Sequence, residues 1–187
     1  SDEPPETIHR MSGQQPIWLI RGAPGAGKTT VSRAICARSP RGLHVPVDDL
    51  RELVVSGQAS PLGEITDEVK LQFRLARSVA ATMASLYAES GFTVVIDDVI
   101  DESTVGNHLH AYLGEHPLRK VLLAPTLEVA LHRNAGRTTK SFDTSILVPT
   151  TSRLHADLLG NTRGWFVIDS SRLSVDETVD AILATHG

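Results

Sequence analysis

The chain has 187 residues, a length that suits one domain and falls short of the roughly 250 residues of a (β/α)8 barrel. Hydrophobic residues at 41% and charged residues at 21% are the composition of a globular protein, while 4% aromatics and a net charge of -4 argue against a nucleic-acid-binding surface. One cysteine, Cys36, can neither close an intrachain disulfide nor complete a structural zinc site, and no run approaches the roughly 18 apolar residues of a membrane span, so a cytoplasmic protein is expected.

The opening SDEPPETIHR is acidic and proline-rich, which reads as a flexible tail over residues 1–16, with the domain spanning 17–187. Ile17–Ile20 is a short apolar run before a glycine-rich turn, as a buried strand would be. Thr29–Arg38 has the helical period, and Leu43–Val47 reads as a second strand, with Pro46 suited to a strand end. Thr66–Ser90 is the longest helical pattern: Thr66, Asp67 and Glu68 suit its start, and Gly91 its stop.

Phe92–Ile96 is a β-branched strand bounded by glycine and two aspartates. A helix over Thr104–Leu113, a strand over Val121–Ala124 and a helix over Thr126–Arg137 follow. Thr151–Leu159 reads as helical and Trp165–Ile168 as the last strand, with Trp165 in the core. Ser174 and Glu177 have capping-box spacing at the start of a final helix. Five strands separated by helices imply an α/β fold: a three-layer sandwich around a five-stranded, mostly parallel sheet. In such sheets ligands sit at the carboxyl ends of the strands, so the loops after Ile20, Val47, Ile96 and Ala124 should carry the chemistry.

Gly22-Ala23-Pro24-Gly25-Ala26-Gly27-Lys28-Thr29 matches the phosphate-binding pattern G-x-x-x-x-G-K-[ST] in full. Glycines at 25 and 27 let backbone N–H groups wrap a phosphate, and the helix that follows, through Thr29 and Thr30, adds its positive end. Lys28 should reach the β- and γ-phosphates of ATP, and the Thr29 hydroxyl should ligate Mg2+. The dinucleotide fingerprint fails, because Gly25-x-Gly27 runs into Lys-Thr-Thr.

Phosphoryl transfer to a hydroxyl needs a carboxylate to orient the nucleophile and accept its proton. Asp48, with Asp49 beside it, stands after the second strand and is the candidate base. The plainer reading is that one of the two caps the helix begun by Leu50. Asp97 and Asp98 end the third strand, and Asp97 is the candidate second metal ligand, with Asp98 facing the substrate or bracing the loop.

Arg133, Arg137 and Lys140 follow the fourth strand. Arg133 and Arg137 share a helical face, and Gly136–Ser145 is polar enough to form a small mobile lid whose cations meet the transferred group. Basic residues also simply complement a helix C-terminus. Arg74 and Arg77 could reach a substrate, although such positions are more often solvated. His108 and His110 do not share a helical face, so no metal pair is expected there, and Cys36 is expected to be a small buried apolar residue.

Together IWLIRGAPGAGKTT, Val47-Asp48-x-Leu50, Val94–Val99 and the basic helix around Arg133 resemble the small P-loop kinases, the group holding shikimate, gluconate and chloramphenicol kinases, the last most of all. The resemblance spans Ile17 to about Ala184. It implies that Asp48 activates an acceptor hydroxyl, that Arg133 or Arg137 belongs to a lid, and that Asp169-Ser170-Ser171 packs near the nucleotide base. The loop here lacks the serines of the chloramphenicol enzymes, and Val54–Thr66, which would shape the acceptor pocket, departs from the families it resembles. The loop with Asp48-Asp49-Leu50-Arg51 is also similar to polynucleotide 5′-kinases and zeta-toxin-like nucleotide-sugar kinases.

The expected function is ATP- and Mg2+-dependent transfer of the γ-phosphate to a small hydroxyl-bearing acceptor, an antibiotic among the candidates, and the sequence leaves room for a homo-oligomer. The alternatives are those two kinase groups and a nucleotide-binding regulatory module. For the last, the Asn-Lys-x-Asp base reader of GTPase switches is missing.

Overall fold

A computed structural model describes residues 15–62, 64–100, 105, 109–136 and 148–185. Five strands, β1 (Ile17–Arg21), β2 (Gly42–Pro46), β3 (Thr93–Asp98), β4 (Leu118–Leu123) and β5 (Phe166–Ile168), form one sheet in the order β2-β3-β1-β4-β5. Every pairing is parallel, so the expected mostly parallel sheet is wholly so. The helices are α1 (Lys28–Ala37), α2 (Val47–Glu52), α3 (Asp67–Glu89), α4 (His110–Leu113), α5 (Leu127–Ala135), α6 (Val148–Gly160) and α7 (Val175–Ala184). Among the described residues no helix is long and apolar enough to cross a membrane.

A parallel sheet covered on both faces needs apolar side chains of both parities, and β1 supplies them. Ile17 and Leu19 join Val94, Ile96 and Leu122 beneath the alanine row Ala76, Ala80, Ala84 and Ala88 of α3. Trp18 and Ile20 join Val95, Val121 and Leu123 beneath Val31 and Ile35 of α1 and Val179 and Ile182 of α7. Full burial of Val94, Val95 and Ile96 contributes roughly 1.5–3 kcal/mol per side chain.

Caps set several boundaries where the sequence placed them. Thr66 accepts from Val69 N–H at the start of α3, and Thr126 accepts from Val129 N–H at the start of α5. Ser174 and Glu177 form the reciprocal capping box of α7.

Three expectations need correcting. β2 ends at Pro46 and Val47 already belongs to α2. Extended Pro46 is its N-cap, so Asp48 and Asp49 lie in the first turn, complementing the helix dipole without capping it. β4 begins at Leu118, three residues early, because Arg119 and Lys120 lie over the rings of Trp18 and Trp165 and so fit a strand despite their charge. Of the helix expected over Thr104–Leu113, the described part is His110–Leu113 with Val105 and Leu109 buried, and the remainder lies outside the described residues. Residues 1–14 of the expected tail also lie outside them, while the Gln15 carbonyl accepts from His116 Nδ1 at 2.9 Å.

Candidate active site

β1 runs straight into the glycine loop, and α1 begins at Lys28. Gly25 and Gly27 adopt φ of 83° and 94°, the left-handed region that a side chain disfavours. Gly25 is needed for space as well: a Cβ there would stand 2.0 Å from the carbonyl oxygen of Ala130 on α5. The loop is thus clamped between the sheet and α5. Gly27 offers no side-chain cap to α1, and no acidic residue occupies the first turn, so the helix turns uncompensated N–H donors toward the loop. Lys28 is only 8% exposed, and its Nζ donates to the Gly22 carbonyl at 3.0 Å. The ammonium is held over the loop it is expected to serve. Thr29 is half-buried and Thr30 exposed.

The two aspartates ending β3 point to opposite faces, as strand alternation requires. Asp97 shares the α1 face with Val95 and meets His44 of β2, with His44 Nε2 2.5 Å from Asp97 Oδ2. Asp98 shares the α3 face with Ile96 and meets Arg77, whose Nε donates to Asp98 Oδ2 at 2.6 Å and whose Nη2 reaches the Val99 carbonyl at 3.2 Å. Arg77 is therefore a buried ion-pair partner and not the solvated residue its helix position suggested, whereas Arg74 is exposed. Burial pushes the Asp98 carboxyl above its ordinary range. Arg77 opposes that push and the negative charge of Asp48 adds to it. Asp48, exposed on α2, thus faces the same corner as Asp98 and Arg77.

Arg77 and Arg51 both lie over the ring of Phe73, at 5.1 and 4.6 Å from its centre. Arg51 Nη1 donates to the Ala59 carbonyl at 2.7 Å, and Gln72 accepts from Ala59 N–H and donates to the Gly57 carbonyl. The segment between α2 and α3, beside Asp48, is therefore tied down through its backbone.

On the other side of the loop, Arg133 in the last turn of α5 donates from Nη2 to the Ser170 carbonyl at 3.0 Å. Ser171 Oγ accepts from Thr126 N–H at 2.7 Å, so the segments after β4 and β5 are joined there. His155 Nε2 donates to the Pro125 carbonyl at 2.8 Å and brings α6 onto the same corner. Arg137, Lys140 and most of the Gly136–Ser145 segment lie outside the described residues.

The phosphate loop, Lys28, Thr29, Asp97, Asp98 and Asp48 come together at the carboxyl end of the sheet, with Arg133 across the loop. Sequence reasoning missed His44, Arg77 as a partner for Asp98, and Arg21. The last is fully buried at the end of β1 with its guanidinium 3.7 Å above the Trp165 ring and Nη2 donating to the Asn161 carbonyl. Strand alternation alone could have put His44 and Asp97 on one face. Cys36 is only partly buried, with its thiol pushed up to about 11 by desolvation.

Among the described residues no group of three or more His, Cys, Asp or Glu could hold a metal. The donor set at hand, a Thr29 hydroxyl and an Asp97 carboxylate, fits Mg2+, which keeps most of its shell as water and phosphate oxygen.

Residues 17–153 match the family model described as an AAA domain. No curated protein matches the sequence. A gluconokinase from Sinorhizobium meliloti 1021 superposes with a TM-score of 0.62 at 21% identity, covering 91% of this chain and 90% of that one. The tunicamycin resistance protein of Deinococcus radiodurans gives 0.62 at 19% identity over 92% and 96% of the two chains. Shikimate kinase from Bacteroides thetaiotaomicron gives 0.61 at 14% identity over 91% and 97%. At these identities the likeness is one of fold, and the fold is that of the small P-loop kinases.

Proposed function

The chain belongs to the AAA domain family, and from that premise we propose that it is a phosphotransferase moving the γ-phosphoryl group of ATP to a hydroxyl of a small molecule. The observation that carries this reading is Lys28: a nearly buried ammonium bonded to Gly22 of a loop whose two left-handed glycines open it to an anion. A triphosphate is the ligand that satisfies the ammonium, the loop N–H groups and the α1 dipole together.

In this reading Lys28 leaves the Gly22 carbonyl for the β- and γ-phosphate oxygens. Thr29 and Asp97 hold the magnesium shell, and the ion, when bound, neutralises phosphate charge. Gly22 to Thr30 form the nest, and Arg133 flanks the nucleotide beside Ser170. Arg137 joins Arg133 as a cation for the transferred group. Asp48 orients the acceptor and takes its hydroxyl proton as the new O–P bond forms and the β–γ bridge breaks, releasing ADP. Asp48 suits the task because it is exposed, while Asp98 is buried and committed to Arg77. The acceptor approaches past the segment between α2 and α3. The gluconokinase, shikimate kinase and tunicamycin resistance protein that share the fold suggest the acceptors to try: sugar acids, hydroxylated ring acids and antibiotics.

The test has two parts. Calorimetry should register ATP binding that strengthens with magnesium and disappears in Lys28→Ala. A panel of hydroxyl-bearing metabolites and antibiotics, with radiolabelled ATP, should then yield a phosphorylated product. Absence of ATP binding would overturn the reading. ATP or GTP binding with no transfer to any panel member would favour a regulatory nucleotide switch, and transfer only to nucleic-acid ends a polynucleotide kinase.

A further inference from the structure

His44 and Asp97 lie on neighbouring parallel strands. Register sets His44 opposite Val95 and Asp97 opposite Pro46, so the two are diagonal neighbours on the face covered by α1. Their side chains are 10% and 6% exposed and meet at 2.5 Å through Nε2 and Oδ2. Asp97 Oδ1 takes no hydrogen bond from any of the described residues. Asp97 itself pairs with Ile20, two residues before the phosphate loop begins. One oxygen of this carboxylate is gripped and the other left open, at the place where the loop starts.

We propose that His44 is a positioning residue for Asp97, an inference that rests on the phosphotransferase reading. Donation from Nε2 to Oδ2 fixes the carboxylate in one rotamer and leaves Oδ1 for the magnesium shell of a bound nucleotide. A carboxylate free to rotate would have to give up that freedom on binding metal, at an entropic cost. Partners of this kind are worth about 10–100-fold in metal affinity.

The experiment titrates ATP calorimetrically at a series of magnesium concentrations and again in EDTA. In His44→Leu, which cannot donate, the magnesium midpoint should rise about tenfold or more, while metal-free ATP affinity stays within about twofold. In His44→Gln, whose terminal amide can reach Oδ2, most of that loss should be recovered. His44→Asn, polar but too short to reach, supplies the same contrast should the apolar variant fail to fold. A residue of purely structural value would shift melting without moving the magnesium midpoint. Unchanged midpoints in the folded Leu or Asn variants overturn the assignment while leaving the phosphotransferase reading intact. Wild-type ATP binding that ignores magnesium overturns both.

Discussion

Gly25 has no Cβ, and the carbonyl oxygen of Ala130 lies 2.0 Å from where one would stand. The phosphate loop and α5 therefore share one tightly packed boundary. Gly25→Ala meets both left-handed strain and a backbone clash, which should cost about 1–3 kcal/mol for the strain alone. In a chain of this size each kcal/mol lowers Tm by roughly 2–4 °C. Gly57→Ala is the control: φ is 78°, but nothing lies within 4 Å of the added carbon. Scanning calorimetry should show the larger loss for Gly25→Ala, with ATP binding lost alongside.

Asp48→Asn keeps size and removes the proton acceptor. Turnover should fall about 10²–10⁴-fold, the usual worth of a general base, with ATP affinity unchanged. Steady-state rates with the acceptor found by the panel, paired with calorimetry, check this. Near-normal turnover would remove Asp48 from the role.

Arg77→Met leaves Asp98 buried without its cation, a loss of about 3–5 kcal/mol when the carboxyl is ionised. The Asp98 carboxyl is already raised by burial, and losing Arg77 raises it further. A raised folded-state value means that the protonated form is favoured by folding. The contribution of Asp98 is thus fully present below the unfolded carboxylate range and is lost as pH climbs through the folded value. The Tm gap between wild type and Arg77→Met should accordingly widen as pH rises above the ordinary carboxylate range and narrow as pH falls back into it. A gap independent of pH would mean that Arg77 acts by packing on Phe73.

Arg133→Ala removes one half-buried hydrogen bond to the Ser170 carbonyl, worth about 1 kcal/mol of stability. If the residue also serves the nucleotide, KM for ATP should rise about tenfold while Tm drops only a few degrees. A large Tm loss with unchanged KM would leave it a tether between α5 and the segment after β5.

The local signals were the readable ones. The glycine loop, the β-branched run before Asp97 and the Ser174–Glu177 box each lie within a few residues, and each formed the element its spacing predicted, with the strand running on through both aspartates. The fold followed from the alternation of such runs. His44 with Asp97 is a contact across 53 residues and Arg77 with Asp98 one across 21, and both depend on strand register and helix rotation that no short window contains. Asp48 turned out to lie in the first turn of α2, and the cap reading failed because extended Pro46 starts that helix first. Arg21 shows the same blindness: a charged side chain after an apolar run looks like a surface residue until Trp165, from the far end of the chain, slides beneath it.

The segment between α2 and α3 is gripped by Arg51 and Gln72 through main-chain groups of Gly57 and Ala59, so these three bonds do not depend on which side chains stand at 55, 56 and 58. Val55, almost wholly solvent-facing at 98%, illustrates the freedom this leaves. Positions 55, 56 and 58 can be rewritten while the strap keeps its course; under the phosphotransferase reading, this stretch is a cassette through which a new acceptor could be chosen while the residues proposed for ATP stay in place.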